Sequence, residues 1–561
     1  MRGLLLSLLL PLFCTAKVRL PAIFSDNLVF QQLGGNPIWG WADPKEKITV
    51  KTSWGETHSA TAGSSGRWMV IAYAPKAGTG HQVTIQGSNK IVLKNVAIGE
   101  VWLCAGQSNM GWSMGNSFEA EKEAMVDLPH FRIFRSAREH WHEPLKENRD
   151  RLARWKACDP KSAAETSAVS YYFGKKLHQT LGVPVGIIQR AYAGTPIEGW
   201  MPWSIQKDDP RAQALKRSYD EASKRLEARG ASNEKALIAY QKELAEYNAK
   251  IERGETMKNQ FRPLAPPIIT KPPNLGHQYP AHIFNAMIVP IRPYAIRGML
   301  WYQGERNAKN APQAEHYAVQ LRRMIDHYRS SWHGESWGAV NDGFPVQFTQ
   351  LPSWNPPQSK PVEGPESPWA VSRESMRKVS LGLYDTAMAV TIDTGDAIEL
   401  HPKNKKPIGL RHAYLALGKT YGLPIVHEGP VLTMHEAKEG KIILRFKSAG
   451  SGLVPARKGK LDAFALAGKD KVWHWADARI EKDSIVLSSP KVKSPVAARY
   501  AWAMNPSQRN LLYNKEGFPA SPFRTDDWPL YDPGAELIEV IKPAKPKGYQ
   551  SKDWARPSIA E

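Results

Sequence analysis

Apolar and polar positions alternate along this chain in three textures, and each predicts a different kind of element. From Val18 to about Ile98, short apolar runs recur between Gly and Pro turns: Leu28-Val-Phe, Pro37-Ile-Trp-Gly-Trp, Ile48-Thr-Val, Trp68-Met-Val-Ile and Gln82-Val-Thr-Ile. That cadence predicts a small N-terminal β-sandwich over residues 17–98. After Gly99 continuous apolar runs alternate with amphipathic stretches, the pattern of a parallel sheet covered on both faces. Strands are predicted at Val101 to Cys104, Val185 to Gln189, Ile296 to Tyr302, Val346 to Gln350 and Met388 to Ile392. Helical spacing places one helix after Ser167 through Val169, Phe173, Leu177 and Leu181, stopping at Gly182. Two more carry Tyr317, Leu321, Ile325 and Tyr328, and Leu410, Tyr414 and Leu417.

A polar insertion at about 209–254 interrupts this α/β region, 99–421. Leu215, Tyr219, Ala222 and Leu226 stripe one segment, and Leu237, Tyr240, Leu244, Tyr247 and Ile251 the next. With Gly230 to Asn233 between them, the pattern predicts a helical hairpin serving as support or lid. Strand signals return over 422–541, as in Val431-Leu-Thr, Ile442-Ile-Leu-Arg-Phe, Val472-Trp-His-Trp and Ser484-Ile-Val-Leu, predicting a C-terminal β-domain. From Lys542 to the end the chain is rich in Pro and Lys and is expected to be a loose tail.

The first sixteen residues change the picture of compartment. Arg2, the apolar run Leu4 to Phe13 and small residues ending at Ala16 form a secretory signal layout. That run is too short to cross a bilayer, which takes about 20 apolar residues, and no later segment reaches that length, so no membrane anchor is expected. The predicted product is exported to the periplasm or the medium. Cys14 falls within the signal, without the small residues before it that lipid attachment requires. Cys104 and Cys158 remain; they allow one bridge at most, so stability must come from packing. A chain of 561 residues is too long for one core. Its formal charge of +21 raises a nucleic-acid reading, but the basic residues are dispersed among acids and no nucleic-acid motif accompanies them. A basic surface that attracts acidic polysaccharide fits better.

Candidate chemistry stands where the strands end, because open α/β sheets bind ligands beyond the carboxyl ends of their strands. The first strand runs into Gly106-Gln-Ser108-Asn-Met, the second into Ala193-Gly194-Thr195, and the third into Trp301-Tyr-Gln303-Gly-Glu305-Arg-Asn307. The last reaches Asp393-Thr-Gly-Asp396-Ala-Ile-Glu399-Leu-His401. Taken singly, Ser108 reads as a helix N-cap, Gly194 as an ordinary turn and His401 as one histidine among many. Taken together they supply a hydroxyl, an imidazole to take its proton, carboxylates to orient the imidazole, and donors for an oxyanion.

Those blocks, with His401-Pro-Lys-Asn-Lys, resemble the sialate O-acetylesterase group of the SGNH (GDSL-like) hydrolases. Leu20-Pro-Ala-Ile-Phe-Ser-Asp-Asn-Leu-Val-Phe-Gln, His282-Ile-Phe-Asn-Ala-Met-Ile, Arg499-Tyr-Ala-Trp and Pro519-Ala-Ser-Pro-Phe-Arg extend the resemblance over nearly the whole chain. It implies a flavodoxin-like three-layer hydrolase domain with a parallel sheet, flanked by β-sandwich modules, that removes O-acetyl groups from carbohydrates without cofactor or metal. By resemblance Ser108 is the nucleophile and His401 its base. The N–H groups of Ser108 and Gly194 form the oxyanion hole, and Gln303 and Asn307 compete to supply a side-chain donor. Gln107, Asn109, Trp112 and Glu305 are candidates for substrate contact, and Trp112, Trp200 and Trp203 for stacking on sugar rings.

The general SGNH pattern places Asp three residues before the histidine, and Ile398 stands there instead. In an extended segment Glu399 shares a face with His401, since side chains two apart point the same way. Asp396, in a predicted turn beside Gly395, is the next candidate acid and Asp393 the third; a Ser–His dyad is the remaining arrangement. Acetylxylan or another acetylated polysaccharide is an alternative substrate to sialosides. A non-catalytic carbohydrate-binding protein is the alternative of another class, but it leaves the serine, histidine and amide set unexplained. A metal site is not expected, because His140-Trp-His142 lacks further ligands at a recognisable spacing. Nothing in the sequence sets the oligomeric state.

Overall fold

The computed structural model describes residues 17–551 apart from 119, 124, 254–262, 264–272, 532, 533 and 535–537. The expected signal segment 1–16 therefore lies outside the described residues, as do 552–561.

The long apolar runs form the centre. The strands are β1 Lys90–Gly106, β2 Leu128–Arg135, β3 Arg154–Cys158, β4 Val185–Ala191, β5 Gly298–Tyr302, β6 Val346–Thr349 and β7 Thr386–Ala389. They lie in the order β7-β6-β5-β1-β4-β2-β3. Neighbours are parallel except for β2 and β3, which form an antiparallel edge. Every residue of β5, Gly-Met-Leu-Trp-Tyr, is buried, as a strand covered on both faces requires. Without that edge pair, the order by position in the chain is second, first, third, fourth, fifth. The winding direction reverses at β1, which lies between β4 and β5, so the loops leaving these strands diverge and open a crevice.

Helices cover both faces. They are α1 Ala168–Leu181, α2 Pro210–Glu252, α3 Ala311–Glu335, α4 Pro368–Gly382 and α5 Lys406–Leu415. Val169, Phe173 and Leu177 of α1 and Ile408 and Ala413 of α5 share one core with Trp102, Cys104, Ile187 and Leu300. On the opposite face Tyr317 and Leu321 of α3 and Val371 and Val379 of α4 pack with Leu103, Met299, Trp301, Val346 and Phe348. Local signals set the ends of α1: the Ser167 side chain accepts from the Ser170 N–H at 3.2 Å, and Gly182 closes the helix at φ +68°.

Two features differ from the expectations of the sequence. The expected module boundary at residue 98 falls inside β1, whose first half pairs with Gly78–Gln86 and whose second half joins the central sheet. A change of composition does not interrupt a backbone hydrogen-bond ladder, so N-terminal module and central sheet share one strand. The predicted hairpin at 209–254 is instead the single 43-residue helix α2. One glycine inside a helix costs about 1 kcal/mol against alanine, too little to break a segment rich in Ala, Glu, Lys and Arg. Its first turns are anchored, with Asp209 accepting from the Arg211 N–H at 2.9 Å and with Ala212 and Ser223 buried.

Beyond α5 the chain builds antiparallel β-structure around its own core of Leu444, Phe464, Leu466, Ile485, Tyr500 and Phe523. The strands Val431–Lys438 and Lys441–Lys447 are joined by Glu439 and Gly440, both at positive φ, a two-residue turn whose twist matches that of the strands. Cys104 and Cys158 are buried free thiols, each pushed up to about 12 by burial. Among the described residues no helix is long and apolar enough to cross a membrane.

Candidate active site

Strand β1 delivers Ser108 to the rim of the sheet through a turn that only glycine fits. Gly106 stands at φ +148°, and a Cβ there would lie 2.1 Å from the Tyr302 carbonyl oxygen of β5. Ser108 then begins the short helical turn Ser108–Gly111. Its Oγ lies 2.8 Å from Nε2 of His401, across 293 residues of sequence. His401 arrives by a different route. After β7 the chain pairs Gly395–Asp396 with Ser353–Trp354, where Gly395 at φ +101° passes so close to Ser353 that a side chain is excluded. The residues from there to His401 have no regular secondary structure and are held by side chains. Trp354 Nε1 donates to the Ile398 carbonyl at 3.3 Å, and Asn109 Nδ2 to the Leu400 carbonyl at 3.3 Å. The Trp112 ring lies over His401 with centroids 5.5 Å apart and planes 20° from parallel.

Burial pulls the His401 imidazole down to about 4, with the nearby Lys405 and Lys542 charges adding to the effect and Glu399 opposing it. The ring is therefore neutral near pH 7 and able to accept a proton from the hydroxyl it touches.

Under the serine turn lies a buried polar platform. The Glu305 carboxylate accepts from the side-chain amides of both Gln107 and Asn109, and the Lys405 ammonium donates to Asn109 Oδ1. Burial raises the Glu305 carboxyl above its usual range, opposed by the Asn109 bond and the Lys405 charge. Lys405 is fully buried beneath Trp112 and Tyr302, its Nζ 6.0 and 5.5 Å from the two ring centroids. Gln107, Asn109 and Glu305 thus face one another, where substrate contact was expected of them. Lys405 completes the set and was not singled out in the sequence; its signal was a lysine four residues after the histidine, in the same block.

The two candidate amide donors are engaged elsewhere. Gln303 is buried, with Nε2 donating to the Thr195 carbonyl at 3.2 Å and to Asn307 Oδ1 at 2.8 Å. Asn307 accepts from the Ile197 N–H at 2.9 Å and donates to Glu198 Oε2 at 2.9 Å. Together they lace the loop after β5 to the loop after β4. Gly194 sits in that latter loop at φ +72°, its carbonyl accepting from Gln278 Nε2 at 2.9 Å. Its neighbour Ala193 lines the cleft.

The candidate acids separate clearly. Asp396 Oδ1 accepts from the Ile398 and Glu399 N–H groups at 2.8 and 2.9 Å and from the Tyr549 hydroxyl at 2.6 Å. Its Oδ2 accepts from Ser551 Oγ at 2.9 Å. Asp393 is paired in the interior with Arg411, at 2.6 Å for Nη1–Oδ1, and accepts from the Tyr513 hydroxyl at 2.7 Å. Burial alone would raise the Asp393 carboxyl, but Arg411 and Tyr513 hold it below the usual range. Glu399 contacts Lys545 and is the carboxylate whose charge is felt at His401. Asp393 ties α5 and the C-terminal β-structure to the end of β7. Asp393→Asn is expected to lower stability by about 3 to 5 kcal/mol by leaving Arg411 buried without its counter-charge, a loss that thermal or urea unfolding would register.

Ser108 and His401 open onto a cleft of about 690 Å³, in the usual range for a small-molecule site of roughly 300 to 1,000 Å³. Trp112, Gln189 and Met287 line it, and Arg135, Arg138 and Glu165 bring charge to its walls. Arg135 and Arg138 were not anticipated, although Arg135 ends β2, where the strand-end rule would have found it. Trp200, expected near substrate, is instead wholly buried, its Nε1 donating to Thr195 Oγ1 at 2.9 Å and its ring packed edge-on against Trp301. Trp203 lies in the turn Trp203–Ile205, apart from the residues lining the cleft. His140 faces Tyr192, 3.4 Å from its hydroxyl.

Comparison with known proteins decides the family. The family model described as carbohydrate esterase, sialic acid-specific acetylesterase, matches residues 98–264 and 273–346. The crystal structure of a carbohydrate acetylesterase from Xanthomonas citri is 30% identical and superposes with a TM-score of 0.73, over 91% of this chain and 100% of that one. This chain belongs to the sialic acid-specific acetylesterase family of carbohydrate esterases.

The esterase is also similar to mammalian relatives along its length. Sialate O-acetylesterase of Mus musculus is 26% identical over 533 residues, covering 90% of this chain and 93% of the relative. That of Homo sapiens is 25% identical over 562 residues, covering 93% and 96%. As a carboxylic ester hydrolase, the esterase must activate a nucleophile toward an acyl carbonyl, and Ser108 and His401, in contact, both line its cleft.

Proposed function

We propose that this protein is a secreted or periplasmic serine esterase of the SGNH type, with a flavodoxin-like hydrolase domain, that removes O-acetyl groups from sugars. The 2.8 Å contact between Ser108 Oγ and a neutral His401, opening on a sugar-sized cleft, is the observation that carries this reading. The strand order around β1 supports the fold assignment. In the first step the Ser108 oxygen attacks the acetyl carbonyl carbon while His401 Nε2 takes the hydroxyl proton. The resulting oxyanion is held by the N–H groups of Ser108 and Gly194; Gln303 or Asn307 joins only by releasing a present partner. Collapse expels the sugar oxygen, which takes the proton back from His401. In the second step His401 deprotonates water, which attacks the acetyl-serine carbonyl, and collapse releases acetate as the Ser108 oxygen takes the proton back from His401.

Glu399 is our choice for the group that supports the imidazole, because its charge is the carboxylate charge that acts on His401, although Lys545 also pairs with it; Asp393 and Asp396 are committed to other donors. A Ser–His dyad remains the second arrangement.

Arg138 on the cleft wall favours an acetylated acidic sugar over neutral xylan, since a guanidinium recognises a carboxylate bidentately, while Arg135 beside it is paired with Glu165. Acetate release measured across acetylated sialosides, pectin and acetylxylan tests this. Acidic substrates should show the highest kcat/KM, with the preference weakened in Arg138→Ala. Faster turnover of acetylxylan in the parent enzyme would assign the polysaccharide reading instead.

A further inference from the structure

The segment after Lys542, which composition marks as a loose tail, crosses the loop that carries His401. The approach starts where the Val540 N–H donates to the Lys309 carbonyl at 2.8 Å, beside the loop after β5. Lys545 then pairs with the Glu399 carboxylate. Finally Tyr549 and Ser551 donate their hydroxyls to opposite oxygens of Asp396, at 2.6 and 2.9 Å.

Asp396 is the internal brace of the histidine loop, since its Oδ1 holds the N–H groups of Ile398 and Glu399. No helix or strand otherwise spans 397–405. From the sheet side the loop is held by the Trp354 and Asn109 bonds at Ile398 and Leu400. The outward side is held by the tail.

We propose that residues 540–551 form a strap that positions the His401 loop over Ser108, with Tyr549 and Ser551 bracing Asp396 and Lys545 pairing with Glu399. Tyr549, Ser551 and Lys545 are positioning residues: none touches the hydroxyl or the imidazole, and each acts through a residue of the loop. The charges that face His401 come from three elements: Glu399 on its own loop, Lys405 at the start of α5, and Lys542 on the strap. Lys545 neutralises Glu399, the negative one of these three. Losing Lys545 therefore leaves the Glu399 charge free to stabilise the imidazolium, which moves the protonation of His401 to higher pH.

The proposal rests on Ser108 and His401 being the catalytic pair, and its test separates the two ideas. In the full-length enzyme, Tyr549→Phe/Ser551→Ala should lower kcat for p-nitrophenyl acetate about tenfold, because small displacements of a base are costly. KM and melting temperature should stay at parent values. Lys545→Met should move the acid limb of kcat/KM to higher pH, and Lys545→Arg should restore the parental limb. Parental kcat in the double variant with an unmoved limb in Lys545→Met would overturn the strap. A kcat loss matched by a lower melting temperature would also overturn it, as a structural effect alone. If Ser108→Ala retains turnover, the catalytic assignment fails instead.

Discussion

Ser108→Ala is expected to lower acetate release by about 10⁶ in kcat, while melting temperature and substrate binding stay at parental values. The size comes from covalent catalysis: without the hydroxyl no acetyl-enzyme forms, and the cleft can only bind. Ser108 is half-buried at the rim of the sheet, and the platform of Glu305, Gln107, Asn109 and Lys405 remains complete without its hydroxyl. The fold therefore has no reason to change. Burst kinetics and trapping of an acetylated serine by mass spectrometry check the same step, and turnover retained by the alanine variant would dismiss Ser108 as nucleophile.

His401→Gln should cost nearly as much, and the double variant with Ser108→Ala should be no worse than either single one, because a nucleophile and its base act as a unit. The pH dependence is set by burial. The working form of His401 is neutral and its imidazole is pulled down to about 4, so kcat/KM should be level near neutrality and fall as the pH drops through that value. The sign for stability is the same. An unfolded histidine takes up a proton near pH 6.5, whereas the folded one resists until about 4, so the unfolded state binds more protons between these values. Stability contributed by the neutral buried ring is thus present above the unfolded pKa and is lost as the pH falls through this window. A kcat/KM profile that falls below pH 7 in the parent enzyme would show a base in a more polar setting.

Much of this architecture is legible in the order of the residues, because local rules govern it. The strands at Val101, Val185, Ile296 and Val346 are continuous apolar runs, bounded by turn residues and short enough to be strands buried on both faces. Ser167 and Gly182 mark the ends of α1 by capping chemistry that needs no distant partner. The loops bearing Ser108, Gly194, Gln303 and His401 were likewise found at the carboxyl ends of the predicted strands. Two of the readings that failed show the physical reasons. Gly230 looked like a hairpin turn, but helix propagation through strong helix formers outweighed one glycine. Trp200 looked like a sugar platform, but the core around Trp301 and Tyr328 buried it.

Sequence alone therefore determined most of the central strands and helices, their apolar faces, and which loops bring Ser108 and His401 to the strand ends, because periodicity, capping and strand ends are properties of neighbouring residues. Tertiary structure alone decided which polar groups meet. Asp396 faces the tail, Asp393 faces Arg411, and Gln303 and Asn307 lace two loops together, since a carboxylate or amide has several chemically equal partners within reach. Hydrogen bonds such as those from Tyr549 to Asp396 or from Ser108 to His401 join residues far apart in the chain and leave no local signature, and only the packing of the sheet selects among them.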